Sequence, residues 1–436
     1  MDAKAIASII IFAVAYILIA MEKIHKTIVV IMGATLMLCL RLISFKQAEE
    51  SVDFNVIFLL VGMMTAVYIL SKTGFFQWTA VYVAKLAKGS PLRIMVLLVG
   101  ITTVISAFLD NVTAIVLLVP VTILIAQVLE ISPVPFVILE ALGSNIGGTA
   151  TLIGDPPNIL IGLQGGLSFN SFIINLTPAI VVVFVVFIGT AIFVFKSKLR
   201  VPGSVRNRLM DAIPQLAIVD KKNMTRALIV LGCVIIAFFF ARIIRLEPGF
   251  IAMAGAMVLL VVCDAEPSEA MRHVEWGVIF FFIGLFMMTA CLQVNGVMDW
   301  LANSMLKISG NNLFLTCMVI LWGSAILSAV LDNIPFVMAM IPLIKLMIGP
   351  IAATMAIADP ALIKLKVAEP LWWSLSLGAC LGGNGTLIGA SANVVAVRIS
   401  EKNKYPISFM TFTKYGFLFM IQSIIVCTIY IWLRYF

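Results

Sequence analysis

Charge is what this 436-residue chain has least of: 11% of its residues are Asp, Glu, Lys or Arg. A soluble chain carries about 25% to cover its surface with groups compatible with water. Histidine is nearly absent, with His25 and His273 alone, which argues against a His-built metal site. The seven cysteines are scattered through apolar segments without a CxxC pair, so they read as packing residues, with neither a disulfide framework nor a zinc site. No Ser-His-Asp, HExxH or Cys-His arrangement supports an enzyme, and no cofactor is expected. No phosphate-binding P-loop is present, so an ATP-driven pump would need a separate ATPase subunit.

What the chain has instead is apolar residues, 62% of the total. Runs of about 20 such residues recur along almost its whole length, and each can cross a bilayer as a helix. Ile6 to Ala20, Val56 to Leu70, Val181 to Phe195, Leu228 to Phe240 and Phe417 to Trp432 are examples. None shows the polar face of a soluble core helix. The first run has no small-residue cleavage site after it, and it is expected to be a retained helix rather than a signal peptide. The formal charge of +8 is spread over short connections, which points to membrane orientation and not to nucleic acid. The lipid bilayer is the expected environment.

The sequence also repeats itself. At an offset of 222 residues Gly33 falls on Gly255, Gly62 on Gly284, Gly74 on Gly296 and Trp78 on Trp300. SAFLDNVTAIVLLVP (106–120) meets SAVLDNIPFVMAMIP (328–342). After a 13-residue insertion the offset becomes 235, and GGTATLIGDPPN (147–158) meets GGNGTLIGASAN (382–393). Chance likeness between apolar stretches pairs Leu with Val. It does not align Asp-Asn, Gly-Gly and Thr-Leu-Ile-Gly in order.

The fold class expected is an all-α integral membrane protein of two inverted repeats, 1–196 and 227–436. Each has five transmembrane helices and one re-entrant hairpin, with discontinuous helices at the midplane. The first repeat reads as helices at about 4–21, 28–45 and 54–72, an amphipathic stretch at 75–89, a hairpin at about 92–130, a broken helix at about 136–162 and a last helix at 173–196. In the second the hairpin falls at about 313–350 and the broken helix at about 369–397. An odd number of crossings inverts one half relative to the other. The linker 197–226 and its edge carry eight basic residues, Lys196, Lys198, Arg200, Arg206, Arg208, Lys221, Lys222 and Arg226, against Asp211 and Asp220. This places the linker in the cytoplasm and both termini outside.

Gly- and Pro-rich sequence at membrane depth has to line a protein cavity, because lipid satisfies no backbone group. Gly147 and Gly148 through Pro157, and Gly382 and Gly383 through Asn393, are such breaks. They turn helix ends and free backbone groups toward one point. Asp110 and Asp332 sit within apolar hairpins, where a carboxylate costs several kcal/mol unless protonated, paired or wet. Each also stands where a helix N-cap belongs. Ser or Asn would cap equally well without that cost, so the aspartates read as proton or ion carriers as well as caps. Asn111, Thr113, Thr149, Thr151, Asn158, Asn333, Asn384, Thr386, Ser391 and Asn393 supply neutral hydroxyls and amides for a solute. Asp155, whose repeat partner is Ala390, and Glu140, whose partner is Leu375, complete the candidate coupling groups.

LDNVTAIVLLVP and SNIGGTATLIGDPPN resemble the ion-transporter superfamily that contains arsenite/antimonite permeases, sodium/proton antiporters, the melanosomal P protein and dicarboxylate/sodium symporters. The resemblance covers essentially the whole chain. In the dicarboxylate symporters the hairpin tip resembles Ser-Asn-Thr. Here the tips read Asp110-Asn111-Val112 and Asp332-Asn333-Ile334. Two aspartates repel a dianion, which puts the sequence nearest the arsenite permeases and the P protein. The resemblance therefore implies efflux of arsenous or antimonous acid in exchange for protons at a plasma (inner) membrane, by rocking or elevator-like alternating access. Sodium/proton antiport is the alternative, and a carboxylate or other anion comes third. An ATPase subunit and a second copy of the chain are both compatible partners.

Overall fold

The computed structural model describes residues 2–21, 23–196, 213–310 and 312–436. Lys198, Arg200, Arg206, Arg208 and Asp211 of the basic linker lie outside the described residues. Within the described residues every regular element is helical, and nine helices are long and apolar enough to cross a membrane. The chain is an all-helical integral membrane protein.

The first half runs α1 (Ala3–Ala20), α2 (Lys26–Cys39), α3 (Phe45–Glu50), α4 (Phe54–Lys72), α5 (Phe75–Leu86), α6 (Pro91–Phe108), α7 (Asn111–Val128), α8 (Val134–Thr149), α9 (Pro156–Gln164), α10 (Phe169–Asn175) and α11 (Thr177–Phe195). The second half runs α12 (Lys221–Ile244), α13 (Pro248–Val262), α14 (Pro267–Arg272), α15 (Trp276–Val294), α16 (Val297–Ser309), α17 (Leu313–Val330), α18 (Asn333–Thr354), α19 (Pro360–Ile363), α20 (Glu369–Gly382), α21 (Ser391–Lys402) and α22 (Phe409–Tyr435). The bounds of α3, α4 and α6 recur 222 residues later in α14, α15 and α17. Three features differ from the sequence expectation. A short capped helix, α3, follows α2; α10 precedes the last helix of the first half; and the insertion lengthens α18 to 22 residues against 18 in α7 and adds α19. By length the hairpin arms α6 and α7 resemble spanning helices, whereas α8 and α9 are each too short to cross.

The halves pack reciprocally. α4 lies on α13 and α2 on α15, and small residues set the crossings, as they do where helices meet in a bilayer. A Cβ on Gly62 would lie 2.6 Å from the carbonyl carbon of Ala252, and one on Gly284 would lie 2.8 Å from Val30. Gly62 and Gly284 are repeat partners, and so are Val30 and Ala252, so one contact is made twice. The helix starts are tied in the same way: Thr27 donates to the Gly277 carbonyl (2.7 Å), and the Gly249 amide donates to Asn55 Oδ1 (2.6 Å). These four helices, packed in pairs and tied at their starts, are the frame helices.

Candidate functional site

Both helix breaks are built by the same residues in the same way. α8 stops at Thr149 and α9 starts at Pro156, and the irregular segment between them must bond its own backbone. Asn158 does this by donating to the carbonyls of Thr149 (3.0 Å) and Thr151 (2.9 Å). Asn393, its repeat partner, donates to Gly383 (2.8 Å) and Thr386 (3.0 Å). Thr151 and Thr386 each donate to a carbonyl at the end of a hairpin arm, Ala107 and Ala329. Thr149 donates to Asn145 within its own helix (2.7 Å). Gly147 and Gly148, with Gly382 and Gly383, bring each break against the adjoining backbone. The hydroxyls and amides expected to face a solute are thus, at Thr149, Thr151, Asn158, Thr386 and Asn393, occupied in holding the breaks. None of them lines the cavity described below.

A second layer of amides joins the halves. Asn145 Nδ2 donates to Asn384 Oδ1 (2.8 Å) and Asn393 Oδ1 (3.0 Å), while its Oδ1 accepts from Asn111 Nδ2 (3.0 Å). Asn111 also donates to Asp155 Oδ1 (3.2 Å). Asn145 is fully buried, so water does not replace those bonds. Its repeat partner is Cys380, which makes a weaker contact with Asn158 Oδ1 (3.5 Å). Replacing Asn145 by Ala orphans two buried amide oxygens, those of Asn384 and Asn393, each costing about 1–3 kcal/mol, while Asn111 keeps its bond to Asp155. The variant is expected to lose about 2 kcal/mol or more of stability, measured as a lower melting temperature of the purified protein in detergent. An unchanged melting temperature would mean that the amides find other partners.

The hairpin tips carry the charge. Asp110 caps α7, accepting from the Thr113 amide (3.0 Å) and hydroxyl (2.9 Å). Asp332 caps α18 through the Ile334 amide (3.3 Å) and also meets Lys26 Nζ (2.6 Å) and Ser391 Oγ (3.2 Å). Both aspartates open onto one cavity of about 630 Å³, whose walls also include Asn111, Asp155, Asn333 and Ser391, with Lys26, Glu275 and Arg398. The cavity is lined from both halves. Asp155 is buried, and its second carboxylate oxygen has no hydrogen bond.

Glu140 is not brought to this cavity. It is fully buried, one oxygen accepts from Thr122 (2.7 Å), and the other has no partner. Sequence reasoning missed Lys26, Asn145, Glu275 and Arg398. Lys26 lies in a short connection and reads as a topology charge, and nothing local couples it to Asp332, 306 residues away. For Asn145 there was a signal, since it stands beside the glycine pair in SNIGGT.

Comparison with known proteins agrees with this architecture. The family model for citrate transporters matches residues 16–378. An uncharacterized transporter of Mycobacterium tuberculosis is 40% identical over 435 residues, covering 99% of both chains. A 46 kDa membrane protein of Mycobacterium leprae is 38% identical over 434 residues, again 99% of both. The P protein of Homo sapiens is 32% identical over 501 residues, spanning 96% of this chain and 58% of that protein. These likenesses extend to the P protein named by the sequence resemblance. They do not single out the arsenite permeases.

Proposed function

The chain belongs to the citrate transporter family, and from that premise we propose that it is a secondary active transporter exchanging protons for a small solute. The observation that carries this reading is the meeting of Asp110 and Asp332, repeat partners from opposite halves, on one cavity. Asp155 is the third carboxylate of the same cavity. The frame helices stay fixed in this cycle, while the re-entrant hairpins and broken helices carry the site between the two faces. The linker lies in the cytoplasm and the termini outside, in a plasma membrane. An ATPase subunit and a second copy of the chain are both compatible with this cycle.

The solute class follows from the charge of the walls. Asp110, Asp155, Glu275 and Asp332 face Lys26 and Arg398, and Lys26 is already taken by Asp332. Such walls suit a neutral or cationic solute better than a trianion. Arsenous or antimonous acid, with three hydroxyls, meets amide and hydroxyl partners at Asn111, Asn333 and Ser391, and efflux in exchange for protons is the leading assignment. A citrate-like carboxylate comes second, supported by the family's name and by the two cations in the lining. Everted membrane vesicles with an acidic lumen separate these solutes. Arsenite is expected to accumulate and to leave when a protonophore is added, while citrate and sodium are not. Accumulation of citrate would shift the assignment to the carboxylate, and sodium accumulation would shift it to cation antiport.

A further inference from the structure

Lys26 belongs to the frame by its backbone and to the moving hairpin by its side chain. It opens α2, which is fixed to α15 by the Thr27–Gly277 bond (2.7 Å) and by the Gly284–Val30 contact. Its ammonium donates to Asp332 Oδ2 (2.6 Å) and to Ser391 Oγ (2.8 Å), and Ser391 donates to the same carboxylate oxygen (3.2 Å). The other two ion pairs among the described residues, Lys46–Glu50 and Lys72–Glu269, have side chains 46–84% exposed. In this pair the side chains are 26% and 11% exposed, so water weakens it less. Asp332 is itself bound to the hairpin as the cap of α18.

The repeat shows what is special here. The partner of Lys26 is Pro248, which opens α13 without a charge. Asp110 has no ammonium bonded to it and is held by Thr113 of its own helix. The two hairpin tips are alike in sequence and unlike in attachment.

We propose that Lys26 is a latch, a built-in counter-cation that holds the second hairpin to the frame while Asp332 is ionised. A proton arriving at the Asp332 carboxylate cancels its charge, the Lys26 ammonium keeps its own proton, and the attraction between frame and hairpin is lost. Protonation thereby licenses movement of the second hairpin, whereas Asp110 carries its proton without gating. The other ionisable groups facing Asp332 are Asp110, Asp155, Glu275, His25, Arg398 and Tyr16. His25 adjoins Lys26 in sequence, and its replacement serves as the control. The latch rests on the alternating-access cycle proposed above and assigns its gate to one residue.

The test needs no solute. With exposed Cys39 and Cys233 replaced by Ser, spin labels go on Met32→Cys in α2 and Leu327→Cys in α17, both exposed positions. In otherwise wild-type protein one separation is expected at pH 8, and a second population at pH 4. Lys26→Met is expected to show the second population at both pH values, and Asp332→Asn to add nothing to it. Lys26→Arg should restore the pH dependence, and His25→Gln should leave it intact. Should Lys26→Met not fold, Ser391→Ala weakens the latch less drastically and is expected to move the transition to higher pH. A latch is overturned if Lys26→Met, or in its place Ser391→Ala, keeps the wild-type pH dependence. If the populations shift as expected but no solute exchanges for protons in vesicles, the latch stands and the assigned function fails.

Discussion

Asp110→Asn and Asp332→Asn are each expected to keep solute exchange and to lose its acceleration by a proton gradient. Asn preserves the size of the side chain and can still accept the capping bonds from Thr113 and Ile334, so the hairpin tips should keep their shape. What disappears is the ability to bind a proton. A gradient of two pH units is worth about 2.7 kcal/mol per proton, at 1.36 kcal/mol per unit. A one-for-one exchanger can therefore concentrate its solute about 100-fold, while an uncoupled carrier only equilibrates it, to a ratio of about 1. The measurement is the accumulation ratio of labelled solute in proteoliposomes of known internal pH. The two variants should differ in one respect. Asp332→Asn also removes the partner of Lys26, so its exchange should lose pH dependence as well as coupling. If neither substitution changes the accumulation ratio, the proton carriers are elsewhere, and Asp155, which lines the cavity, becomes the first candidate, ahead of the remote Glu140.

The largest effect on stability is expected from a single methyl group at the helix breaks. A Cβ on Gly147 would lie 1.9 Å from the Thr103 carbonyl oxygen, and one on Gly382 would lie 2.6 Å from Ala325 Cα. Both obstacles are backbone, so no side chain can swing aside, and the hairpin arm would have to separate from the broken helix. Overpacking costs about 1–3 kcal/mol, and more where nothing yields. Gly147→Ala is expected at or above the top of that range and Gly382→Ala within it. Gly189→Ala is the matched control: it lies within α11 with nothing within 4 Å of the added Cβ, and it should be close to neutral. Melting of the three purified variants in detergent decides this. Equal melting temperatures for Gly147→Ala and Gly189→Ala would mean that the arm and the break are not in contact as described.

The membrane architecture was legible in the sequence because its cause is local. A run of about 20 apolar residues is a span whatever its neighbours. The likeness of GGTATLIGDPPN to its second copy points to both breaks, since a helix cannot continue through Gly154-Asp155-Pro156 without losing backbone bonds. What could not be read was which polar groups face solute and which face backbone. Thr151 and Thr386 have the chemistry of solute ligands, yet both bond hairpin carbonyls, and only the distance between the chains settles that. Lys26 is the clearest case. Its ion pair with Asp332 is entirely long-range, 306 residues apart in sequence, and its repeat partner Pro248 gives no hint of it. A carboxylate solute looks less suited than a neutral one when the aspartates alone are counted, and less disfavoured once Lys26 and Arg398 are seen in the same walls.

Proton movement tied to solute movement through the twin-aspartate cavity is the centre of this account. Its most direct measurement uses proteoliposomes loaded at acidic pH with a fluorescent pH indicator and diluted into neutral buffer. Adding arsenite outside is expected to make the lumen of wild-type liposomes more alkaline as protons leave in exchange, and to leave the Asp110→Asn/Asp332→Asn double variant unchanged. Solute entry without alkalinisation in the wild type, or undiminished alkalinisation in the double variant, would contradict it.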